Sequence, residues 1–269
     1  IKQPAAEERA SVPQERPPDF TGISCEIVLH LIRIVYNYKI RSILGKGKSM
    51  KVDYQKILHD EEVNALITHG NEILKELGYT EHSQKHSAKA AAEAGRILQA
   101  LGCSSRKVEL AKIAGYMHDI GNSINRHDHA HTGAILAYQI LQNRGMAMKD
   151  ILTVTTAIGH HDEATGTAVD EVSAALILAD KTDVRRNRVQ NANPATFDIH
   201  DRVNYAALSS ELSVDHERKV IQMTLELDDA ICSVMDYFEI FLQRMIMCKR
   251  AAEKLGRKFK LHANGSKLC

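Results

Sequence analysis

The chain has 269 residues with a formal net charge of +1, and 44% of its residues are hydrophobic and 26% charged. This composition excludes a disordered polypeptide, and the near-zero charge gives no general field that would attract nucleic acid. Five cysteines without a CxxC pair fit reduced thiols better than a disulfide framework. We therefore expect a cytoplasmic globular protein with no stable nucleic-acid partner.

The N-terminal residues 1–49 differ in pattern from the rest of the chain. Four of the five prolines lie in the first twenty residues, which we expect to form an extended leader. An apolar segment at 23–44 is interrupted by charged and polar residues, so it predicts an amphipathic helix and no membrane span. Because helical periodicity begins at Met50, one hypothesis is that residues 1–49 are not part of the natural chain.

Apolar residues recur at helical spacing from Asp60 to about residue 190, and Gly78 and Gly102 follow two of these segments. The pattern predicts six or seven helices joined by short turns. Residues 50–193 are therefore expected to form a helical bundle, and the chain as a whole is expected to be mostly α.

The pattern changes after Pro194. Residues 210–227 alternate in polarity and predict two strands around the polar turn "DHERK". A long helix at 228–256 and a short strand "KFKLH" follow, so residues 194–269 are expected to form a small α/β appendage. The methionines of the long helix predict a packing surface, against either the bundle or a second copy in a homodimer.

Eight of the fourteen histidines fall between His82 and His161. Any one of them alone is better explained as a core or surface residue, but the group lies at the predicted ends of several helices. Because helix ends converge at one rim of an up-and-down bundle, we expect these residues to line a single site.

The adjacent pair His118 and Asp119 suggests what this site holds. Neighbouring helical residues point about 100° apart, so both approach one centre only if it lies between helices. With His86 and Asp180 they would supply two nitrogens and two oxygens, a set suited to Mn, Fe, Co or Zn. Asp180 follows the apolar run "AALILA", so its carboxylate is expected to be buried and to need a partner.

Two further histidines would extend this set to a second ion. His131 begins one predicted helix and His161 ends another. Because a carboxylate can give one oxygen to each of two ions, Asp119 would bridge them.

The order of these elements resembles a known family. His86, "HDIGN" at 118–122, "HTGA" at 131–134, "AIGHHDE" at 157–163 and "LADKTD" at 178–183 are similar to the motifs of the HD superfamily of metal-dependent phosphohydrolases. The resemblance covers roughly residues 80–190 and is greatest to the binuclear branch, which includes HD-type dinucleoside polyphosphate hydrolases, the ribonuclease Y HD domain and HD-GYP domains. It implies an HD-domain bundle with two divalent transition metals, Mn or Fe in the first place, with Zn, Co, Ni or Mg as other choices.

The resemblance also assigns the remaining histidines. It makes His161, and not His160, the matching ligand, and leaves His160 and His82 as candidates for an additional metal contact. His127 and His129 match no family position, so we expect them to be loop histidines near the mouth of the site.

Two departures from the family bear on the substrate. Asn122 stands where the family often has a lysine, and the GYP signature is absent, which weakens an assignment to cyclic di-GMP. The expected substrate contacts are Asn122, Lys181, Arg185 and Arg188. For the arginines the alternative is a solvated helix end.

The function implied is hydrolysis of a phosphoester or phosphoanhydride bond in a nucleotide or dinucleotide by a metal-activated water. Asp119 and Lys181 are the expected catalytic residues, and Asp162 or Glu163 would carry a proton to the leaving group. Two alternatives stay open, namely an HD-type di-iron oxygenase and a non-catalytic regulatory protein that binds metal or nucleotide.

Overall fold

The computed structural model describes residues 52–269, so the leader and the amphipathic helix expected in residues 1–49 lie outside the described residues. Seven helices precede residue 182, as the periodicity predicts. They are α1 (Tyr54–Leu58), α2 (Glu61–Glu76), α3 (Gln84–Ala100), α4 (Ser105–Met117), α5 (His129–Asn143), α6 (Met148–Gly159) and α7 (Glu171–Lys181).

The helix boundaries follow from local capping. The side chains of Asp60, Ser83, Ser104 and Asp170 accept hydrogen bonds from backbone amides in the first turns of α2, α3, α4 and α7. Gly78 adopts a φ of 80° after α2, a conformation that favours glycine. Short connections of this kind hold successive helices antiparallel, so their ends meet at common rims.

The C-terminal part adds a short helix, a four-stranded sheet and a long helix. These elements are α8 (Ile199–Ala206), β1 (Ala207–Asp215), β2 (Val220–Leu227), α9 (Val234–Lys254), β3 (Lys258–Ala263) and β4 (Ser266–Lys267). The strands are in chain order, with antiparallel β1–β2 and β3–β4 pairs and a parallel β2–β3 pair that places Ile221 opposite Phe259. The predicted hairpin, long helix and strand are all present, and α8 and β4 were not predicted.

The appendage shares its core with the bundle. Helix α9 packs along α7, and buried residues of both parts, such as Leu178 and Met245, belong to one continuous apolar cluster. The family resemblance therefore describes only the first part of a larger packed unit. Within residues 52–269, we find no helix that combines the length and the apolar character of a membrane-spanning segment.

Helix α7 ends earlier than the sequence indicates. The apolar pattern predicts a helix that continues to Val189, but α7 ends at Lys181, and residues 182–189 contain only one 3-10 turn, Arg186–Arg188. The side chains of Asp183 and Arg188 are buried here and bond to His86 of α3 and to the Glu81 carbonyl just before α3, which turns the chain out of the helix. The alternative of a solvated arginine-rich helix end is therefore wrong.

Candidate metal centre and substrate cavity

Five helices direct an end toward one rim of the bundle. Helices α3 and α5 contribute histidines from their first turns, and α4, α6 and α7 contribute ligand-type residues where they end. The approach of α3 to α4 depends on Gly115, where a Cβ atom would lie 2.7 Å from the Cα of Ala91. Three helix C-termini at one rim place partial negative charge there, which favours a cation.

A second close approach joins the turn after Asp119 to helix α5. A Cβ atom on Gly121 would overlap the carbonyl oxygen of His129 and lie 2.6 Å from the backbone nitrogen of Gly133. The glycines of "HDIGN" and "HTGA" thus let two backbones pack directly against each other. This contact carries the start of α5 to the rim.

Four buried histidines surround Asp119 there, and all four are oriented in the same way. Each ring has its Nδ1 atom within hydrogen-bond distance of an oxygen that can only accept. The pairs are His86 with the Asp183 carboxylate (2.8 Å), His118 with the Gly115 carbonyl (2.9 Å), His129 with the Arg126 carbonyl (3.1 Å) and His161 with the Ile158 carbonyl (2.6 Å). Each Nδ1 therefore carries a proton, so in each neutral ring Nε2 presents a lone pair to the interior.

These lone pairs face one another across short distances. The Nε2 atoms of His86 and His118 are 3.2 Å apart, and those of His129 and His161 are also 3.2 Å apart. Two acceptor nitrogens at this distance repel unless a proton or a cation lies between them. The arrangement is typical of metal ligands, whose outer nitrogens are held by carbonyl or carboxylate groups.

Asp119 lies between the two histidine pairs. Its Oδ2 atom is 3.0 Å from Nε2 of His118 and 3.6 Å from that of His86, whereas Oδ1 is 3.6 Å from His129 and 3.8 Å from His161. One carboxylate oxygen thus faces each pair.

Asp180 completes the first group. Its Oδ1 atom is 3.3 Å from Nε2 of His86 and 3.6 Å from that of His118. Ligand atoms of His86, His118 and Asp180 form one close set, and those of His118, Asp119 and His161 form another.

The residues fit divalent cations. Oδ2 of Asp119 is buried and lies 3.0 Å from Nε2 of His118, an atom that donates only when the ring carries a second proton, so within residues 52–269 the neutral cluster gives this oxygen no hydrogen-bond donor. Ligands about 2.1 Å from a tetrahedral metal lie about 3.4 Å from each other, which agrees with the spacing around Asp180. Imidazole and carboxylate donors suit Zn, Mn, Fe and Co.

The electrostatics of the cluster also favour a bound cation. Burial lowers the pKa of His118, but the carboxylates of Asp119 and Asp180 outweigh it and raise that pKa to about 10. Burial and the neighbouring His161 lower the pKa of His129 to about 3, so this imidazole is neutral. The carboxylates therefore attract positive charge to His118, and a bound cation would replace the proton there.

Asp183 is part of this arrangement and was not predicted. Its fully buried carboxylate accepts from His86 Nδ1 at 2.8 Å and also pairs with Lys89 and Arg185. Burial raises its pKa, but the bonds to His86 and Arg185 outweigh that effect and keep the carboxyl ionised. The motif "LADKTD" places Asp183 three residues after Asp180, and this spacing is the sequence signal that could have predicted its role.

The structure brings His129, and not His131, to the centre. His129 is 4% exposed and faces His161, whereas the His131 side chain is 54% exposed and lies near Asp128. Residues two apart on a helix point about 200° apart, so only one of the two can face the rim. Gly133 lies one turn after His129 on the buried face of α5, and this spacing was the signal that identifies the correct histidine.

The two histidines proposed for an additional metal contact differ in position. His160 lines a separate shallow cavity together with His131 and Tyr138, away from the cluster. His82 lies beside the cluster, with its ring in edge contact with that of His86 and its Nδ1 atom 2.6 Å from the Thr80 carbonyl.

A cavity of about 540 Å³ opens above the cluster. Its floor contains Asp119, His129, His161 and Asp180, and its sides include residues from α8 and α9 as well as from the bundle. Tyr79, which is 45% exposed, lies at the rim. Cavities of this size accommodate small organic substrates.

Two of the predicted substrate contacts lie outside this cavity. Asn122 is buried, and its amide donates to the Asp119 carboxylate at 2.9 Å, so it orients a ligand-type residue. Arg185 is engaged by both oxygens of Asp183. Lys181 and Arg188 do line the cavity, and Lys181 pairs with Asp180 at 2.8 Å.

Both residues proposed as proton carriers line the cavity, but their environments differ. Asp162 makes a local bond to the Ala164 amide, whereas Glu163 pairs with Arg244 at 2.8 Å and Lys181 at 3.5 Å. Burial raises the pKa of Glu163, but the charges of Arg244 and Lys181 lower it below the usual value. Burial raises the pKa of Asp162 as well, but the nearby His129 and Lys181 lower it below the usual value. The two residues differ because Glu163, and not Asp162, is held as a counterion by two cations.

The appendage supplies cavity residues that the sequence did not reveal. Helix α8 contributes Asp201 and Asn204, and α9 contributes Phe241 and Arg244. They are separated from the HD motifs by tens of residues and carry no motif of their own. Only tertiary packing places them at the site, with α9 against α7 and α8 against both α9 and the 3-10 turn Arg186–Arg188.

The fold and the site together define a helical-bundle protein with a buried histidine and aspartate centre suited to divalent cations. The HD domain family model matches residues 84–239. This chain belongs to the HD domain family, which confirms the resemblance to the HD superfamily of metal-dependent hydrolases.

Two individual proteins are similar to this chain. An uncharacterized protein of Methanocaldococcus jannaschii is 25% identical over 203 residues, a match that covers 66% of this chain and 77% of the relative. The crystal structure of a predicted HD superfamily hydrolase from an uncultured Thermotogales bacterium is similar with 23% identity and a TM-score of 0.37, over 47% of this chain and 69% of that one.

Proposed function

We propose that this protein is a two-metal phosphohydrolase that cleaves a phosphoester or phosphoanhydride bond of a nucleotide or dinucleotide. One observation supports the proposal above the others, namely the position of Asp119 between two pairs of inward-facing imidazoles. A carboxylate that offers one oxygen to each pair is suited to bridge two cations.

Six residues would hold the two cations, and Lys181 would support them. His86, His118 and Asp180 would hold one cation and His129 and His161 the other, with Asp119 shared. When bound, two such cations lower the pKa of a water molecule and offset charge on the phosphoryl group. Lys181 pairs with Asp180 and faces the cavity, so it would orient this ligand and attract the anionic substrate.

Proton transfer is assigned to Asp162. It follows His161 directly, lines the cavity and is not held by a salt bridge to any of the described residues. These properties leave its carboxylate accessible to a water molecule or a leaving group.

A nucleotide is the proposed substrate because the cavity joins cationic and aromatic groups. Lys181, Arg126, Arg188 and Arg244 line it, and the half-exposed ring of Tyr79 lies at its rim with the Arg126 guanidinium 5.6 Å from the ring centre. The positive charge of these side chains attracts phosphate groups, and a nucleobase can stack on the tyrosine ring.

The test is a chromatographic screen of nucleotides, dinucleoside polyphosphates, cyclic dinucleotides and short oligonucleotides with Mn²⁺. Asp119→Ala should abolish turnover, whereas His131→Ala, which removes an exposed histidine outside the cluster, should retain it. Loss of turnover in both variants, or in neither, would contradict the assigned centre.

The alternatives give different results in the same preparation. Protein that carries metal but cleaves no phosphoester would overturn the proposed reaction. Oxygen consumption by an iron-loaded sample would then support a di-iron oxygenase, and tight nucleotide binding without turnover would support a regulatory protein.

A further inference from the structure

Four cationic side chains line the cavity, but they differ in how many of their donors are already engaged. They are Arg126, Lys181, Arg188 and Arg244. A nitrogen that already donates a hydrogen bond within the protein is less available to a substrate phosphate, because the new bond competes with the existing one. The hydrogen bonds of each residue therefore show which one is available to a ligand.

Arg188 and Lys181 are engaged. All three guanidinium nitrogens of Arg188 donate to backbone carbonyls, two bonds going to Glu81 and one to Asp183. Lys181 lies 2.8 Å from Asp180 and 3.5 Å from Glu163. Arg188 thus fastens the loop before α3, and Lys181 balances the charge of a ligand-type carboxylate.

Arg126 is partly engaged on the opposite side. One terminal nitrogen donates to the Asn122 amide oxygen at 3.3 Å and lies 3.3 Å from Nε2 of His129. These contacts connect Arg126 to the histidine and aspartate cluster itself.

Arg244 is oriented and yet open. Its Nε donates to Glu163 at 2.8 Å, and its guanidinium lies 4.0 Å from the ring centre of Phe241 one turn earlier on α9. Within residues 52–269 its two terminal nitrogens make no hydrogen bond that meets ordinary geometry, and the side chain is 21% exposed in the cavity. The ion pair and the ring fix a guanidinium fork whose outer edge faces the ligand space.

The position of Arg244 indicates which phosphate it meets. Between Arg244 and the ligand-type Asp180 lie Glu163 and Lys181, joined by contacts of 2.8, 3.5 and 2.8 Å. The fork is therefore set apart from the cluster by two charged side chains. If the cluster holds one phosphoryl group, Arg244 is in a position to bind the phosphoryl group linked to it.

We propose that Arg244 binds a second, non-scissile phosphoryl group, so that the preferred substrates carry at least two linked phosphoryl groups. This inference rests on the proposed function, because it takes the first phosphoryl group to be held at the cluster. Arg244 is accordingly a specificity-determining residue, supplied by the appendage, that selects phosphoanhydrides over monoesters and isolated diesters.

The test compares two non-hydrolysable probes by titration calorimetry on Mn²⁺-loaded protein. Methylenediphosphonate presents two linked phosphoryl-like groups, and methylphosphonate presents one. In Arg244→Gln the affinity for methylenediphosphonate should fall roughly 10- to 100-fold, the range expected for a hydrogen bond to a charged group. The affinity for methylphosphonate should change less than about threefold.

Matched variants separate phosphate binding from structural support. Arg250→Gln removes the same charge from an exposed position on α9 and should leave both affinities unchanged. Glu163→Gln removes the partner that orients Arg244 but keeps the fork, so it should weaken methylenediphosphonate binding less than Arg244→Gln does. Thermal unfolding of all three variants would show that each is folded.

Three outcomes would overturn the inference: equal loss of both probes, no loss of either, or equal effects of Glu163→Gln and Arg244→Gln. The readout is binding, so it is independent of turnover. If no phosphoester is cleaved while Arg244→Gln still weakens the binding of methylenediphosphonate more than that of methylphosphonate, the proposed reaction fails and the second phosphate site stands. If phosphoesters are cleaved and Arg244→Gln changes both affinities alike, the proposed reaction stands and the second phosphate site fails.

Discussion

The floor and the C-terminal side of the cavity are built in different ways. The floor consists of histidines and aspartates whose orientation is set locally, since three of the four Nδ1 atoms bond to a carbonyl three residues earlier in the chain. The side formed by α8 and α9 consists of residues such as Asn204 and Arg244, which reach the cavity only through packing between distant helices.

In our proposal the floor carries out the reaction, and the side formed by α8 and α9 selects the substrate. Ligand geometry tolerates little change, so it is encoded in short motifs with glycines that permit close backbone approach. The α8 and α9 residues contact the substrate, in our proposal, but not the cations. Variants of the floor should therefore abolish metal binding and turnover together, whereas variants of the α9 side should change only which substrate is preferred.

The largest effect is expected for Asp180→Asn. It removes a charged ligand from the group with His86 and His118 and leaves Lys181 without its closest partner. We expect loss of bound metal and a fall in turnover of at least about 1000-fold, because the metals supply several kcal/mol of transition-state stabilisation. Metal analysis and steady-state kinetics measure both, and a variant with full metal content and full turnover would show that the floor lies elsewhere.

Two substitutions in α5, His129→Ala and His131→Ala, compare a buried histidine of the cluster with an exposed histidine of the same helix. Removing His129 should lower metal stoichiometry and reduce turnover at least about 100-fold, more than the loss of an outer-sphere partner costs. Removing the exposed His131 should change turnover less than about twofold. The reverse order of effects would restore the assignment made from sequence.

A smaller effect is expected for Asp183→Asn, which keeps the size of the side chain that orients His86. Loss of a carboxylate behind a metal-binding imidazole lowers metal affinity by about 10- to 100-fold. Lys89→Met removes the half-exposed partner on the other side of the same carboxylate and should lower it less than about threefold. Competition titrations with a metallochromic chelator measure both, and equal effects would argue against an orienting role.

The smallest effect is on stability. Gly121→Ala would force a Cβ atom against the His129 carbonyl and should destabilise the fold by about 1–3 kcal/mol. Gly159→Ala places its Cβ atom 3.6 Å from that of Ala134, an ordinary contact, so it should be close to neutral. Denaturant unfolding distinguishes the two, and an unchanged midpoint for Gly121→Ala would mean that the turn and α5 do not pack as described.

The sequence by itself determined the class of fold and much of the centre. Helical periodicity predicted six or seven helices, of which the structure has seven, and alternation after Pro194 predicted the hairpin, because both patterns depend on neighbours within a few residues. The motifs predicted His86, His118, Asp119, His161 and Asp180, which the structure brings together. Their spacing within helices is a local property, so it is visible in the chain.

Only the tertiary structure decided the rest. The choice of His129 over His131 depends on which face of α5 is buried, and that face is set by the contact between Gly121 and the start of α5. The end of α7 at Lys181 and the reversal of Arg188 into the bundle depend on buried bonds to residues about a hundred positions away. The place of Arg244 depends on α9 packing along α7, because no local pattern records a contact between segments so distant in sequence.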